Sequence, residues 1–325
     1  MLKPLSLAVT LTLVGGWNFG LADEGGAPAD TSYLFTYFTG NGEDGLHVAW
    51  SSDGYKWEAL NGGKSYLTPT VGNKEKLMRS PSVISGADGV YHLVWATGLN
   101  EVSIGYASSR DFVHWSGQKE LPVMASEPQT RNVLAPKMIY QPKWRQYLLI
   151  WASAVQGKYT ETDRAAGRDL NCRIYCTTTK DFLYFSPPRL FYDPGYPVSD
   201  AAVFQANGRF YLVAKDATPK KQNLHIASSN TIDGMYSESD PQFTPKGLLV
   251  EGPSAIKIGD EYIVYLDAYA EKHHGAMSSR DLKTWQDVTS KMTFPGEGTP
   301  ERMRNGGVIA VPAKLAEALR AAPAP

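Results

Sequence analysis

Cysteine is nearly absent, with only Cys172 and Cys176 in 325 residues. That excludes a disulfide-stapled scaffold. The two do not bridge each other either, because residues four apart on a strand share a face but sit roughly 13 Å apart. They read as buried free thiols. Neither sign of charge dominates: 32 Lys+Arg face 33 Asp+Glu for a net charge of −1, which excludes a generic basic nucleic-acid binder. Beyond the N-terminus no apolar run is long enough for a membrane helix. Helical periodicity is just as scarce. Only 313–321 (Ala-Lys-Leu-Ala-Glu-Ala-Leu-Arg-Ala) sets strong helix formers at helical spacing, and it reads as a surface tail.

Aromatic and turn residues are abundant: 8 Trp, 18 Tyr and 11 Phe accompany 30 Gly and 21 Pro. This is the composition of many short strands joined by tight turns. Residues 1–22 have the pattern of a secretory signal peptide, with Lys3, an apolar stretch from Leu5 to Val14 and a small-x-small ending at Gly20-Leu-Ala22. A secreted or periplasmic location follows as an expectation. The remaining chain divides into a flexible linker at 23–32, one domain at 33–311 and a tail at 312–325.

An internal repeat sets the architecture. A strand runs into small hydroxyl residues, then Asp, then an aromatic. The copies are Val48–Trp57, Gly105–Trp115, Ile174–Phe185, a looser Ile226–Tyr236, and Ala276–Trp285. Their closing aromatics are 58, 70, 51 and 49 residues apart. The hydroxyls and Asp suit a turn capped by side-chain to backbone hydrogen bonds, with the aromatic packing between neighbouring units. Upstream of four of these turns lies a strand pair, beginning near Pro81, Pro136, Ala201 and Pro253. The second strand of each pair is apolar enough to be covered on both faces. Five such units predict an all-β chain folded as a five-bladed β-propeller, with Val308-Ile-Ala-Val supplying the strand that closes the ring.

Ligands of a propeller bind where its innermost strands converge. The segments entering those strands are Met78-Arg79-Ser80-Pro81, Leu134-Ala135-Pro136-Lys137, Val198-Ser199-Asp200-Ala201 and Val250-Glu251-Gly252-Pro253. Asp200 and Glu251 come from adjacent blades, and a facing pair of carboxylates is what glycoside cleavage needs. Acidic residues at strand starts also cap backbone amides, and that reading stays open beside the catalytic one. Lys137 is placed to hold an acidic ligand or to favour ionised carboxylates. Arg79, Arg131 and Arg304 flank the axis motifs and are further ligand-binding candidates.

Across Tyr33 to Val311 the chain resembles glycoside hydrolase family 43 and its relatives, five-bladed propellers that attack arabinan, xylan and galactofuranosides. The resemblance rests on Ile104–Trp115, Thr177–Phe182, Leu190–Gly195, Glu251-Gly-Pro-Ser254 and Tyr269–Val288. It implies Glu251 as general acid, Asp200 as the residue that orients and tunes it, and an inverting displacement. Three axis positions depart from the family pattern. Ser80 stands where relatives carry the general-base Asp of Arg-Asp-Pro, Lys137 where they carry the Glu of Ala-Pro-Glu, and Asn305 where they carry the His of Arg-His-Gly. Three readings follow: a hydrolase whose base has moved, with Asp216 or Asp267 as candidates; a hydrolase for an acidic sugar held by Lys137 and Arg79; or a glycan-binding propeller that has lost the chemistry. With Ser80, Lys137 and Asn305 altered, the substrate-side set is Arg79, Ser80, Lys137, Arg131, Asp216, Asp267, Arg304 and Asn305. No cofactor is expected; the resemblance admits a structural Ca²⁺ in the tunnel, which Asn305 in place of His disfavours. The expected state is a monomer acting on an oligo- or polysaccharide, with no nucleic acid and no membrane after signal cleavage.

Other signals are weaker. His273-His274 is a candidate metal pair, although neighbours on a strand point to opposite faces. His92 and His114 read as packing or surface residues. Trp95, Trp151, Tyr106, Tyr211 and Tyr269 are of the type that stacks on sugars, and also of the type that packs between blades. Ser51–Trp57 loosely echoes the aspartate box of sialidases, a third reading that the five-unit count and the lack of a Tyr-Glu nucleophile pair oppose.

Overall fold

The computed structural model describes residues 30–163, 170–219, 221–240 and 243–322. The expected signal peptide, and all but the last three residues of the expected linker, lie outside them. β1 (Thr31–Tyr37), β2 (His47–Ser51) and β3 (Glu58–Ala59) are followed by β4 (Arg79–Ser85), β5 (Tyr91–Ala96), β6 (Ile104–Ser109) and β7 (Lys119–Leu121). Next come β8 (Leu134–Gln141), β9 (Gln146–Ala154), β10 (Cys172–Thr179) and β11 (Arg189–Tyr192). Then follow β12 (Val198–Ala206), β13 (Arg209–Asp216), β14 (Leu224–Ser229) and β15 (Ser237–Asp240). The last are β16 (Glu251–Ile258), β17 (Glu261–Ala268), β18 (His273–Ser279), β19 (Gln286–Asp287) and β20 (Gly307–Pro312), ahead of helix α1 (Ala313–Ala321).

These strands form five four-stranded antiparallel sheets, in the orders β4-β5-β6-β7, β8-β9-β10-β11, β12-β13-β14-β15, β16-β17-β18-β19 and β20-β1-β2-β3. The chain is a five-bladed β-propeller. Its last strand closes the ring, with β20 pairing β1 from Thr31↔Pro312 to Thr36↔Gly307. An axial channel of about 130 Å³ is lined by β4, β8, β12, β16 and β20, which identifies these as the five innermost strands.

The core divides as the blades do. Five clusters of buried apolar residues each occupy one joint between adjacent sheets; Leu148 and Ile150 of β9 meet Leu212 and Ala214 of β13, for example. A strand in the middle of a blade is thus covered on both faces, which is why those runs read as continuously apolar. Trp95 and Trp151 are among the fully buried side chains. They pack between blades and offer no face to a sugar.

The repeated turns are built as the sequence suggests. In four of them a hydroxyl (Ser51, Ser109, Thr179, Ser279) accepts two backbone N–H groups, and the Asp two residues on accepts two more. The looser fourth copy lacks this: Ser229 accepts one N–H at 3.4 Å, and Asp233 instead pairs with Arg189 at 2.7 Å. The deepest plug in three turns is the residue after Asp (Phe112, Phe182 and Leu282, all at positive φ), not the closing aromatic. Among those aromatics Trp57 is fully packed, edge-on to Phe35 and Tyr265, while Trp115 and Trp285 are half-buried.

Within the expected tail, residues 312–322 are docked on the first blade. Ala316 and Leu319 of α1 bury against the first blade, and the Arg320 guanidinium lies 3.8 Å over the Trp50 ring.

Candidate active site

Four inner strands share one irregularity near their start. The ladder shifts register between Arg79 and Ser82, Leu134 and Lys137, Ser199 and Ala202, and Glu251 and Ser254. Inside each bulge sits a residue in the left-handed region: Ser80 (φ 50°), Ala135 (46°), Asp200 (49°) and Gly252 (60°). Proline follows three of the four, tolerated because a bulge residue owes no hydrogen bond to the ladder. Gly252 is required twice over, since a Cβ there would lie 2.0 Å from the Asn305 Cβ. Left-handed backbone at a non-glycine residue costs on the order of 1–3 kcal/mol and gathers at functional sites. Here three such residues surround one neck, together with Lys137, Asn305 and Gly306.

Beyond the neck the axis opens into a mouth of about 180 Å³, lined among others by Arg79, Ser80, Ser199, Asp200, Lys215, Gln222, Glu251 and Asn305, with Leu99 and Leu170 as apolar flanks. Asp200 and Glu251 face this cavity together. Glu251 is held on both oxygens: Lys215 Nζ is 2.9 Å from Oε2, and Arg304 Nη2 is 3.2 Å from Oε1. Asp200 has neutral donors only, with the Ser199 hydroxyl donating to Oδ2 at 2.7 Å and Asn305 Nδ2 to Oδ1 at 3.5 Å. Burial and then the charge of Glu251 push the Asp200 carboxyl above the ordinary carboxylate range. For Lys215, burial opposes the charge, but Glu251 and Asp200 outweigh it and the amine is shifted upward.

The remaining candidates divide between this cavity and elsewhere. Lys137 sits in the neck, its ammonium donating to the Gly306 carbonyl. Burial pulls it down to about 8, against the opposing charge of Asp200. Arg304 bridges Glu251 to Asp267, with Nε 2.8 Å from the Asp267 Oδ2. Asp267 is fully buried, is paired also with Arg302 at 2.9 Å, and does not line the mouth. Burial works against its charge, but His274, Arg304 and Arg302 together hold it below the ordinary range. Asp216 is equally buried and accepts the Thr218 N–H at 2.8 Å. Neither carboxylate reaches the cavity to activate water. Arg131 is exposed and bonds Gln156, away from the mouth.

Lys215 was not among the residues expected from sequence, although its neighbour Asp216 was. On β13 the two point to opposite faces; Lys215 pairs with Ser199 across the ladder and lines the mouth. Strand alternation is the signal that separates them. Tyr269 alone of the named aromatics stands beside these residues, its ring 5.0 Å under Lys215 Nζ and its hydroxyl donating to Gln222. His274 packs against Phe35 and Phe294, His273 bonds Glu271, His92 lies against Tyr106, and His114 is a surface partner of Asp111.

The neck does not fit the Ca²⁺ that the resemblance admits. Ca²⁺ takes six to eight oxygen ligands, whereas this neck presents one carboxylate and already contains an ammonium. Among the described residues no three His, Cys, Asp or Glu side chains are placed to share a metal ion.

The five-bladed ring carries a carboxylate pair, Asp200 and Glu251, at its axial mouth. The chain belongs to the glycoside hydrolase family 43-related family, whose model, described as a probable glycosyl hydrolase domain, matches residues 29–317. It is similar to an α-L-arabinofuranosidase of Bifidobacterium longum, 20% identical over 391 residues that cover 95% of this chain and 36% of that protein. The chain thus spans about a third of the relative's length. Among solved structures, an exo-β-1,3-galactanase from Clostridium thermocellum shares the fold with a TM-score of 0.51 and 17% identity, over 68% of this chain and 50% of that one. An α-L-arabinofuranosidase from Lactobacillus brevis follows at 0.49 and 16%, over 64% and 71%.

Proposed function

We propose that this is an exported hydrolase of O-glycosyl bonds in polysaccharide side chains of the arabinose, xylose or galactofuranose type. Glu251 is its general acid and Asp200 the orienting partner. The observation that carries this reading is the Asp200–Glu251 pair facing one polar axial cavity, in a chain of glycosidase family. Two carboxylates at close quarters resist double ionisation. Burial and then the charge of Glu251 favour the neutral form of Asp200, and in this reading Glu251 is the group that protonates the departing glycosyl oxygen. Lys215 and Arg304 fix both Glu251 oxygens and then receive the carboxylate that proton transfer leaves behind. The names of the relatives, an arabinofuranosidase and a galactanase, support the substrate class. Export rests on the pattern of residues 1–22, and N-terminal sequencing of the mature chain, expected to start at Asp23, checks it.

Ser80 favours a second reading, glycan binding without turnover, because a hydroxyl does not replace a carboxylate base unaided. Sugar release from arabinan, xylan and β-1,3-galactan decides between them. A hydrolase releases product with the wild type and loses it in Glu251→Gln. A binding protein releases none with either, yet retains glycan affinity.

A further inference from the structure

The mouth holds more positive charge than its carboxylates use. Glu251 is already paired on both oxygens by Lys215 and Arg304, and the Lys137 ammonium is bonded to a carbonyl. Arg79 differs. Its guanidinium lines the cavity and lies 5.1 Å over the Phe38 ring, while Nη1 donates to the Asn41 carbonyl at 3.2 Å and to the Asn41 side chain. Among the described residues no carboxylate lies within 4 Å of it, and the nearby Glu75 binds the Leu99 N–H.

We infer that Arg79 recognises a carboxylate on the substrate, so that the glycan this site takes carries a uronate unit; this rests on the glycan-binding reading of the mouth proposed above. A partly buried cation without an ionic partner is costly. Burial, and then the charge of Arg304, weigh against the charged form of Arg79 more than the charges of Glu251, Asp200 and Glu75 support it, and an anionic ligand adds to that support. The ring of Phe38 and the Asn41 contacts fix the guanidinium plane in advance, leaving its other donors for a forked, bidentate contact that a planar carboxylate matches. A neutral sugar gives that guanidinium no contact ion pair.

Calorimetric titration tests this with two matched pairs: trigalacturonate against galactotriose, and a glucuronate-bearing xylo-oligosaccharide against the unsubstituted one. The wild type should bind the uronate member of at least one pair tenfold or more tightly than its neutral twin. In Arg79→Met the ratio should fall below threefold, and in Arg79→Lys, which keeps the charge but not the fork, it should lie between. Should the Met variant fail to fold, the Lys variant decides. Equal affinity for charged and neutral twins, a ratio that survives in the variants, or tighter binding of a 6-sulfated galactoside than of the uronates would each overturn the inference. Turnover of neutral arabinan without uronate preference would remove this inference and leave the hydrolase standing. No binding or cleavage of any glycan would remove both.

Discussion

At the scale of single residues, Ser80 and Lys137 determine how this site departs from an ordinary glycosidase. Ser80 occupies a bulge position geometrically equivalent to that of Asp200, with φ of 50° against 49°. An Asp is therefore tolerated there by the backbone, and Asp is among the residues that adopt this region most readily. Ser80→Asp should raise kcat on an aryl furanoside about 10²-fold or more, the scale of general-base assistance. No gain in a folded variant would show that water activation is not what the wild type lacks. Lys137 makes a prediction about pH. Its folded-state value near 8 lies below the ordinary 10.5, so the unfolded chain binds this proton more readily. Stability therefore rises with pH between about 8 and 10.5, and the cost of the buried ammonium is complete below 8, roughly 3 kcal/mol. Lys137→Met, although it also loses the bond to Gly306, should stabilise the protein by about 1–3 kcal/mol at pH 7. Urea unfolding at pH 7 and pH 9.5 checks this, and a difference that does not shrink at the higher pH would contradict it.

At the scale of elements, the repeated turn and the inner-strand bulge carry the design, and they were not equally legible. The Ser-x-Asp pattern was visible because its hydrogen bonds are local and fix residue type at fixed spacing. It also foretold which copy is loose, since Asp233 lies four residues after Ser229 rather than two. Ser109→Ala removes the acceptor of two N–H groups at a buried site and should cost about 1–2 kcal/mol. Ser229→Ala should cost less than ~0.5 kcal/mol, because its single contact is long. Thermal or urea melts of the pair test this, and equal losses would count against it. The bulges were not legible. Ser-Pro, Ala-Pro and Gly-Pro marked strand starts, but a left-handed residue inside a ladder leaves no composition signal unless it is glycine. Asp216 and Asp267 were drawn toward the site by type alone; alternation on β13 and the guanidiniums around Asp267 put both carboxylates elsewhere.

At the scale of the whole molecule, stability is distributed over five joints and closed by one strand. Thr36 ties the joint between first and second blades, donating to the carbonyls of Pro81 and Gly307 at 3.0 and 3.1 Å. Gly306 admits the close packing of the β1 backbone here, since a Cβ there would lie 1.7 Å from the Thr36 carbonyl oxygen. A chain ending at residue 306 exposes the edge of β1 and one side of two joints. It should lose the single cooperative melt of the full domain, whereas removal of α1 alone should lower the melting temperature and keep it single. The closing pair also links the two ends of the domain, a non-local contact that places folding in the slow, strand-rich range. All of this holds two carboxylates at one mouth, and a leaving-group comparison tests their assignment most directly. The measurement is kcat/KM of the wild type and Glu251→Gln on an unactivated arabino-oligosaccharide and on a dinitrophenyl furanoside, whose leaving group needs no proton. Glu251→Gln should lose about 10³-fold or more on the first and far less on the second. Equal losses on both, or no loss on either by an active enzyme, would contradict Glu251 as the acid.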